Sequence, residues 1–304
     1  MKLDFSVKQA MKVVVVLVCA VAVIATSIVM INGNDNKIKN KNDEFWNTIK
    51  ELNGSGGSES GGSDGDSNNP TSGPNGEPLV STTESQVGKY ADIDGDGTVD
   101  GIIFADLMVG GSGQLGNSDG KYTIPTISSS KSYYVSQESY TNKLGGTADV
   151  LAPTGSGNDR FYIMALNDVS SNRYTWYAGA RVIENFESVA SPDFGKGKSN
   201  TLTMVDCWND ERYGPKETGV YTDIWSEIQA QANKEWFVPS SKEWAAFNKQ
   251  LGITDSNYTN KGLNDCYWSS SLYSYNQPFV AISGSCISAI GFRYTFFARL
   301  AATF

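Results

Sequence analysis

Histidine is absent from all 304 residues. Without imidazole there can be no Ser-His-Asp or Cys-His arrangement, no His-ligated zinc or iron, and no neutral-pH proton shuttle of the usual kind. Positive charge is also short: 24 Lys and Arg stand against 33 Asp and Glu, a net charge of −9. That balance argues against a partner that must be wrapped by a basic surface, so nucleic acid is not expected. Cysteine amounts to four residues. Cys19 lies in an apolar run as a small membrane-facing residue, and Cys207, Cys266 and Cys286 are too scattered for a zinc site or a disulfide framework. A bond between Cys266 and Cys286 and free half-buried thiols are both compatible with the spacing. Catalysis would have to rest on carboxylate pairs, Lys or Tyr, and no acidic pair stands out for that work.

The chain is long enough for one large domain or two ordinary ones, but part of it is not globular. Residues 13–31, "VVVVLVCAVAVIATSIVMI", form an uncharged run preceded by Lys2, Lys8 and Lys12. The run is long enough to span a bilayer as a helix and exceeds the apolar region of a cleaved signal peptide. Residues 1–35 therefore read as a signal anchor, a transmembrane helix that leaves a short tail inside and the large domain on the extracellular face. Residues 36–84 follow as a Gly/Ser-rich linker. Its stretch "GSGGSESGGSDGDSNNPTSGPNGEP" buries no apolar surface and is expected to act as a flexible tether.

Residues 85–304 have the composition of a folded domain. "RFYIMALNDV" (160–169) and "RYTWYAGARV" (173–182) are rich in aromatic and β-branched residues and bounded by Gly, Asn and Ser, as expected of two neighbouring strands. Three helices follow. "SNTLTMVDCW" offers Ser199 as a cap, with Leu202, Val205 and Trp208 on one face. "TDIWSEIQAQA" places Ile224, Trp225, Ile228 and Ala232 at helical spacing. In "PSSKEWAAFNKQLG", Ser240 and Glu243 make a capping box, Trp244, Phe247 and Leu251 form the buried stripe, and Gly252 closes the helix. Strands, helices and then a strand-rich end predict an α+β domain whose last third pairs with earlier strands.

Two groups of residues invite a ligand. In "ADIDGDGTVDG", Asp92, Asp94, Asp96 and Asp100 occupy positions one, three, five and nine of a calcium loop, with Gly97 at the sharp turn and Thr98 placed to offer its carbonyl. Four carboxylates so close together repel unless a hard cation neutralises them, so this loop at 92–100 is expected to hold structural Ca2+. Position twelve, a bidentate Glu in an EF-hand, is Ile103, which makes the loop closer to the short aspartate-rich loops of extracellular modules. The aromatic residues Tyr162, Tyr174, Trp176, Tyr177, Tyr267 and Trp268 could stack on sugar rings, but the burial a domain of this size requires favours them as core.

"NKEWFVPSSKEWAAF" (233–247), "DCYWSSS" (265–271) and "ARLAATF" (298–304) resemble segments of the variable proteins diversified by diversity-generating retroelements in bacteria and their phages. "KYADIDGDGTVDGIIFADL", "SGNDRFYIMALNDV" and "DFGKGKSNTLTM" look like segments of the same family in the same order, so the resemblance runs from Lys89 to Phe304. It implies a C-type-lectin-like fold, related to that of formylglycine-generating enzymes, and a variable region at 267–304. In that family template adenines are copied as any base, so template Asn codons yield a restricted set of residues. From Leu272 to Ala298 every residue except Gln277 belongs to the set reachable from an Asn codon in that way.

A frame of "YWSSS" before this segment and "RLAAT" after it could hold strands in register while outward side chains vary. The best candidates for the solvent-facing ligand-binding positions are Tyr273, Tyr275, Asn276, Phe279, Ala281, Ser283, Cys286, Ser288, Gly291, Arg293, Thr295 and Phe296, with Phe279, Phe292 and Phe296 equally compatible with a place in the core. Tyr and Arg would be the energetic anchors, with Ser, Gly and Asn as adaptable contacts. The expected function is a membrane-anchored, cell-surface binder of an unknown macromolecular or cell-surface ligand, without catalysis. The alternative is an adhesin of fixed specificity for carbohydrate, and an enzyme using the scattered cysteines comes last.

Overall fold

A computed structural model describes residues 70–178, 190–210, 222–274, 277–282 and 284–304. The signal-anchor run at 13–31 and the linker up to residue 69 lie outside the described residues. Among the described residues no helix is long and apolar enough to cross a membrane.

The fold is α+β. Its largest element is a six-stranded sheet containing β1 (Tyr90–Ala91), β2 (Gly101–Asp106), β5 (Ser132–Asn142), β6 (Gly146–Thr154), β7 (Phe161–Ala165) and β13 (Ala301–Thr303), in the order β13-β7-β2-β1-β6-β5. Only β1 and β6 pair in parallel among these neighbours. The last strand therefore returns to the sheet built by the first half of the chain, as the strand-rich end predicts. β2, "GIIFAD", is buried along its whole length because both faces are covered. Ile102 and Phe104 point into one core cluster and Ile103 into another, the alternation expected of a strand.

A second sheet has three strands, β9 (Cys266–Ser274), β10 (Gln277–Ile282) and β11 (Cys286–Ala289), ordered β11-β10-β9. β3 (Gly111–Gln114) and β4 (Lys121–Ile124) form a hairpin, and β8 (Tyr174–Thr175) pairs with β12 (Thr295–Phe296). The segments at 160–169 and 173–182 are thus not neighbouring strands. β7 sits between β2 and β13, while β8 is taken by the C-terminal segment, whose Phe296 lies opposite Tyr174.

Among the described residues, four helical segments follow β8: α1 (Gly197–Asn209), α2 (Ile224–Glu227), α3 (Gln229–Ala232) and α4 (Ser241–Gln250). α4 has the capping box its sequence announces, and Trp244 and Phe247 are buried. Glu243 does more than cap. One of its oxygens accepts Ser240 N–H at 2.7 Å and the other accepts Gly195 N–H at 2.9 Å and Gly197 N–H at 3.2 Å, which ties the start of α1 to the start of α4. Burial pushes its carboxyl up to about 7 against these bonds, which favour the charged form. The single helix expected at 222–232 is broken at Ile228 into α2 and α3, although Ile224, Trp225, Ile228 and Ala232 are all buried.

α1 corrects the expected cap and face. Lys196, not Ser199, is the N-cap residue, and Leu202 is exposed. The inward face carries Asn200, Thr201 and Met204. Asn200 donates to Ser191 O and Ser270 Oγ, and Thr201 Oγ1 accepts Val238 N–H at 2.9 Å. Polar groups with designated partners go inside here ahead of a leucine without one.

The boundary of the folded unit also moves. Residues 79–84, assigned to the linker by composition, pack on the domain. Leu79 bridges Tyr134 of β5, and Arg160 donates to Ser81 O at 2.9 Å and Glu84 O at 3.1 Å.

Candidate functional site

The frame around the C-terminal segment is built from indole N–H groups and buried hydroxyls. Trp268 Nε1 donates to Tyr174 O at 2.6 Å, Trp176 Nε1 to Ser269 O at 2.7 Å, and Trp244 Nε1 to Trp268 O at 3.1 Å. Ser269, Ser270 and Ser271 are fully buried, and each hydroxyl has a partner: Ser269 Oγ donates to Phe279 O, Ser270 Oγ accepts from Asn200, and Ser271 Oγ donates to Ser191 O. A buried serine is tolerated only when its hydroxyl is paired, so "YWSSS" is a structural signature. Tyr174, Trp176, Tyr177, Tyr267 and Trp268 are all core residues, and Tyr162 is half-buried against Phe194. None of the six forms an open stacking face.

On this frame the structure sorts the candidate ligand-binding positions. Tyr273 is 58% exposed, and Arg293 is also exposed. Cys286, Ser288, Gly291, Thr295 and Phe296 are half-buried. Tyr275, Asn276 and Ser283 lie outside the described residues. Phe279 and Ala281 are corrected: both are buried in the core cluster that also holds Trp244, Tyr267 and Ile287. Alternation fails for them because β10 is the middle strand of its sheet and both of its faces are packed, with Val280 turned into the opposite cluster beside Trp268 and Leu272. A strand covered on both faces has no solvent side for alternation to mark.

The alternation also misses Tyr294, which is 61% exposed. Tyr294 N–H donates to Gly291 O at 3.2 Å, so this stretch is a turn, where period-two reasoning does not apply. The glycine at 291 is the signal that could have revealed it. Tyr294 stacks on Phe296 with ring centroids 6.5 Å apart, and Phe296 meets buried Trp268 edge-on at 4.8 Å. The exposed tyrosine is thereby anchored to the core through two rings. Arg293 lies over the Phe292 ring at 5.6 Å.

The cysteines cannot pair. Cys266 in β9 and Cys286 in β11 both stand opposite Ile282 of β10, one on each side. Two strand spacings, about 9.6 Å, separate them, beyond the reach of a disulfide. None of the three described cysteines is in a disulfide, and burial, aided by Asp265, pushes the Cys266 thiol up to about 11, away from thiolate chemistry.

The aspartate loop joins β1 to β2 as a hairpin connection, closed by Asp100 N–H donating to Ala91 O at 2.8 Å. Asp92 is buried and organises it, accepting N–H from Gly95, Asp96 and Gly97 at 2.8, 3.1 and 3.0 Å. Gly97 takes φ +89°, which the turn requires and a Cβ would strain. Oxygens of Asp92, Asp94 and Asp100 lie within 4.8 Å of one another. Asp96 is not in that group; its Oδ1 accepts Thr98 N–H at 2.7 Å. Burial first, and then the charges of Asp94, Asp92 and Asp96, raise the pKa of Asp100. Ile103, in place of the bidentate Glu of an EF-hand, is a core residue of β2. Three hard oxygens at this spacing suit Ca2+, the remaining ligands falling to carbonyls and water.

No family model matches the chain, and no curated protein matches it. Among solved structures it is similar to a fimbrial protein from Bacteroides ovatus, with a TM-score of 0.32 and 16% identity. That likeness spans 48% of this chain and 36% of the fimbrial protein, too slight to bear on fold or function.

Proposed function

We propose that the protein is a surface-displayed binding module with a C-type-lectin-like fold, tethered to the membrane by residues 13–31. In this reading its C-terminal segment is diversified by a retroelement to vary the site for a macromolecular or cell-surface ligand. The observation that carries the proposal is the contrast between a hydrogen-bonded, fully buried frame at Trp268–Ser271 and Ala298–Ala302 and the exposed Tyr273, Arg293 and Tyr294 set between its two halves. Tyrosine and arginine on a rigid support are the residue types that dominate binding energy. The burial of Tyr174, Trp176, Tyr177, Tyr267 and Trp268 favours this reading over a fixed sugar-binding adhesin stacking on those rings, and the raised Cys266 thiol gives no support to cysteine catalysis.

The test is to sequence the DNA flanking the gene. A near-copy of the codons for residues 267–304, differing only at template adenines and lying beside a reverse-transcriptase gene, is the expected result. A genome without such a copy sinks the diversification reading.

The aspartate loop serves this reading as a structural Ca2+ site. Ca2+ at a hundredfold excess over its dissociation constant is expected to stabilise the fold by about 2.7 kcal/mol, a rise of roughly 5–10 °C in the unfolding midpoint. Asp94→Asn should abolish the rise. The sign with pH follows from Asp100: its folded pKa is raised, so without cation stability falls as pH increases through that pKa, and Ca2+ should flatten this fall. Identical thermal scans in calcium and in chelator would dismiss the site.

A further inference from the structure

A polar cavity of about 740 Å3 opens between the β5–β6 turn, the chain leaving β7, Gly262 and Arg299. Three cations line it, Lys143, Lys261 and Arg299, against one acid, Asp168. Asp168 is already engaged: it accepts from Arg299 Nε at 2.6 Å, Asn264 Nδ2 at 2.7 Å, and the Tyr267 hydroxyl at 3.0 and 3.1 Å. Its charge offsets that of Arg299, which leaves two ammonium groups in the wall of a cavity on a protein whose net charge is −9.

Lys143 is exposed, and half-buried Lys261 donates to Leu144 O at 2.8 Å, which uses one of its three donors and none of its charge. Burial holds the Lys261 pKa below the usual lysine value, so a nearby anion would be favourable to it. Arg299 supplies an independent sign. It is 2% exposed, its Nη2 donates to Gly262 O at 3.2 Å, and its Nη1 has no partner. A buried guanidinium nitrogen without an acceptor is costly, and such groups usually mark a bound water, ion or ligand oxygen. Hydroxyl and amide groups of Thr141, Asn167 and Ser171 complete the wall.

We propose that this cavity binds a small polyhydroxylated carboxylate of the sugar-acid class, its carboxylate held by Lys143, Lys261 and Arg299 and its hydroxyls by the neighbouring Thr, Ser and Asn side chains. The volume falls in the range of small-ligand sites. None of these residues lies within 272–298, and the site stands independently of the display reading.

Calorimetric titration of the full-length chain with D-glucuronate tests it, with D-glucose and sulfate as the uncharged and the hydroxyl-poor controls. Saturable glucuronate binding is expected, at least about tenfold tighter than either control. Lys143→Ala, at an exposed position, should weaken it several-fold, and Lys143→Ala with Lys261→Ala should weaken it by about tenfold or more with the thermal midpoint little changed. Absence of binding at about 10 mM, equal binding of glucose, sulfate as tight as glucuronate, or an unaffected double variant would each overturn the assignment.

Discussion

Asp106→Ala is expected to lower the unfolding free energy by about 3–5 kcal/mol, read as a fall in the denaturant midpoint at unchanged slope. Arg160 and Asp106 are each 1% exposed and meet as a bidentate pair, Nε to Oδ1 and Nη2 to Oδ2, both at 2.8 Å. The carboxylate also accepts Gln86 N–H at 3.2 Å and Met108 N–H at 3.0 Å. The guanidinium reaches Ser81 O and Glu84 O, so every strong group in the cluster has a partner. Removing Asp106 strands a buried cation beside two amides and two carbonyls arranged for the pair. Replacing both partners at once, Asp106→Leu with Arg160→Met, should recover most of the loss, because a buried pair and an apolar pair of similar volume are nearly equivalent. If the single and double variants lose the same amount, the cost lies in detaching residues 79–86 from the sheet and not in the stranded charge. Hydrogen exchange confined to that segment would then report the difference.

This cluster is a part of the fold that sequence reasoning could not reach. Arg160 and Asp106 lie 54 positions apart, and nothing local joins them; the same holds for Arg299 and Asp168. Local signals were readable where the physics is local. The Ser240 and Glu243 capping box, the closing Gly252 at φ +59°, and the buried Ile224, Trp225, Ile228 and Ala232 follow from spacing alone. Composition misled at residues 79–84, because their fixation comes from backbone carbonyls that accept from Arg160, which a polar sequence supplies as well as any other. It misled again at α1, where the hydrogen-bonding needs of Asn200 and Thr201 outweigh the leucine stripe. For the candidate site, the residue set of the C-terminal segment was legible, and the aspartate spacing picked out Asp92, Asp94 and Asp100, whose oxygens converge, together with Asp96, whose oxygens do not join them. Which of the C-terminal positions face solvent depended on knowing that β10 is covered on both faces, a fact of tertiary packing.

That fact separates two classes of position within one segment and yields a sharp expectation. Phe279→Ala should cost about 3–5 kcal/mol, because Phe279 is 4% exposed and belongs to the main core cluster that also holds Ala281, Tyr267 and Ile287. Tyr273→Ala should cost at most about 1 kcal/mol, chiefly for its edge contact with Phe279 at 5.6 Å. Arg293→Ala should fall within about 0.5 kcal/mol of the parent, and Tyr294→Ala within about 1 kcal/mol, for its stacking on Phe296. Equilibrium unfolding of the four variants measures all of this in one series. A diversified surface can sample side chains freely only where stability is indifferent to them, since a few kcal/mol is a large part of what holds a domain folded. Phe279 and Ala281, though reachable from an Asn codon, are therefore positions where most variants would be lost before they could bind anything. A Phe279→Ala variant as stable as the parent would return the middle strand to the proposed display surface; a large loss confines the proposed site to Tyr273, to the turn carrying Arg293 and Tyr294, and to the half-buried positions around them.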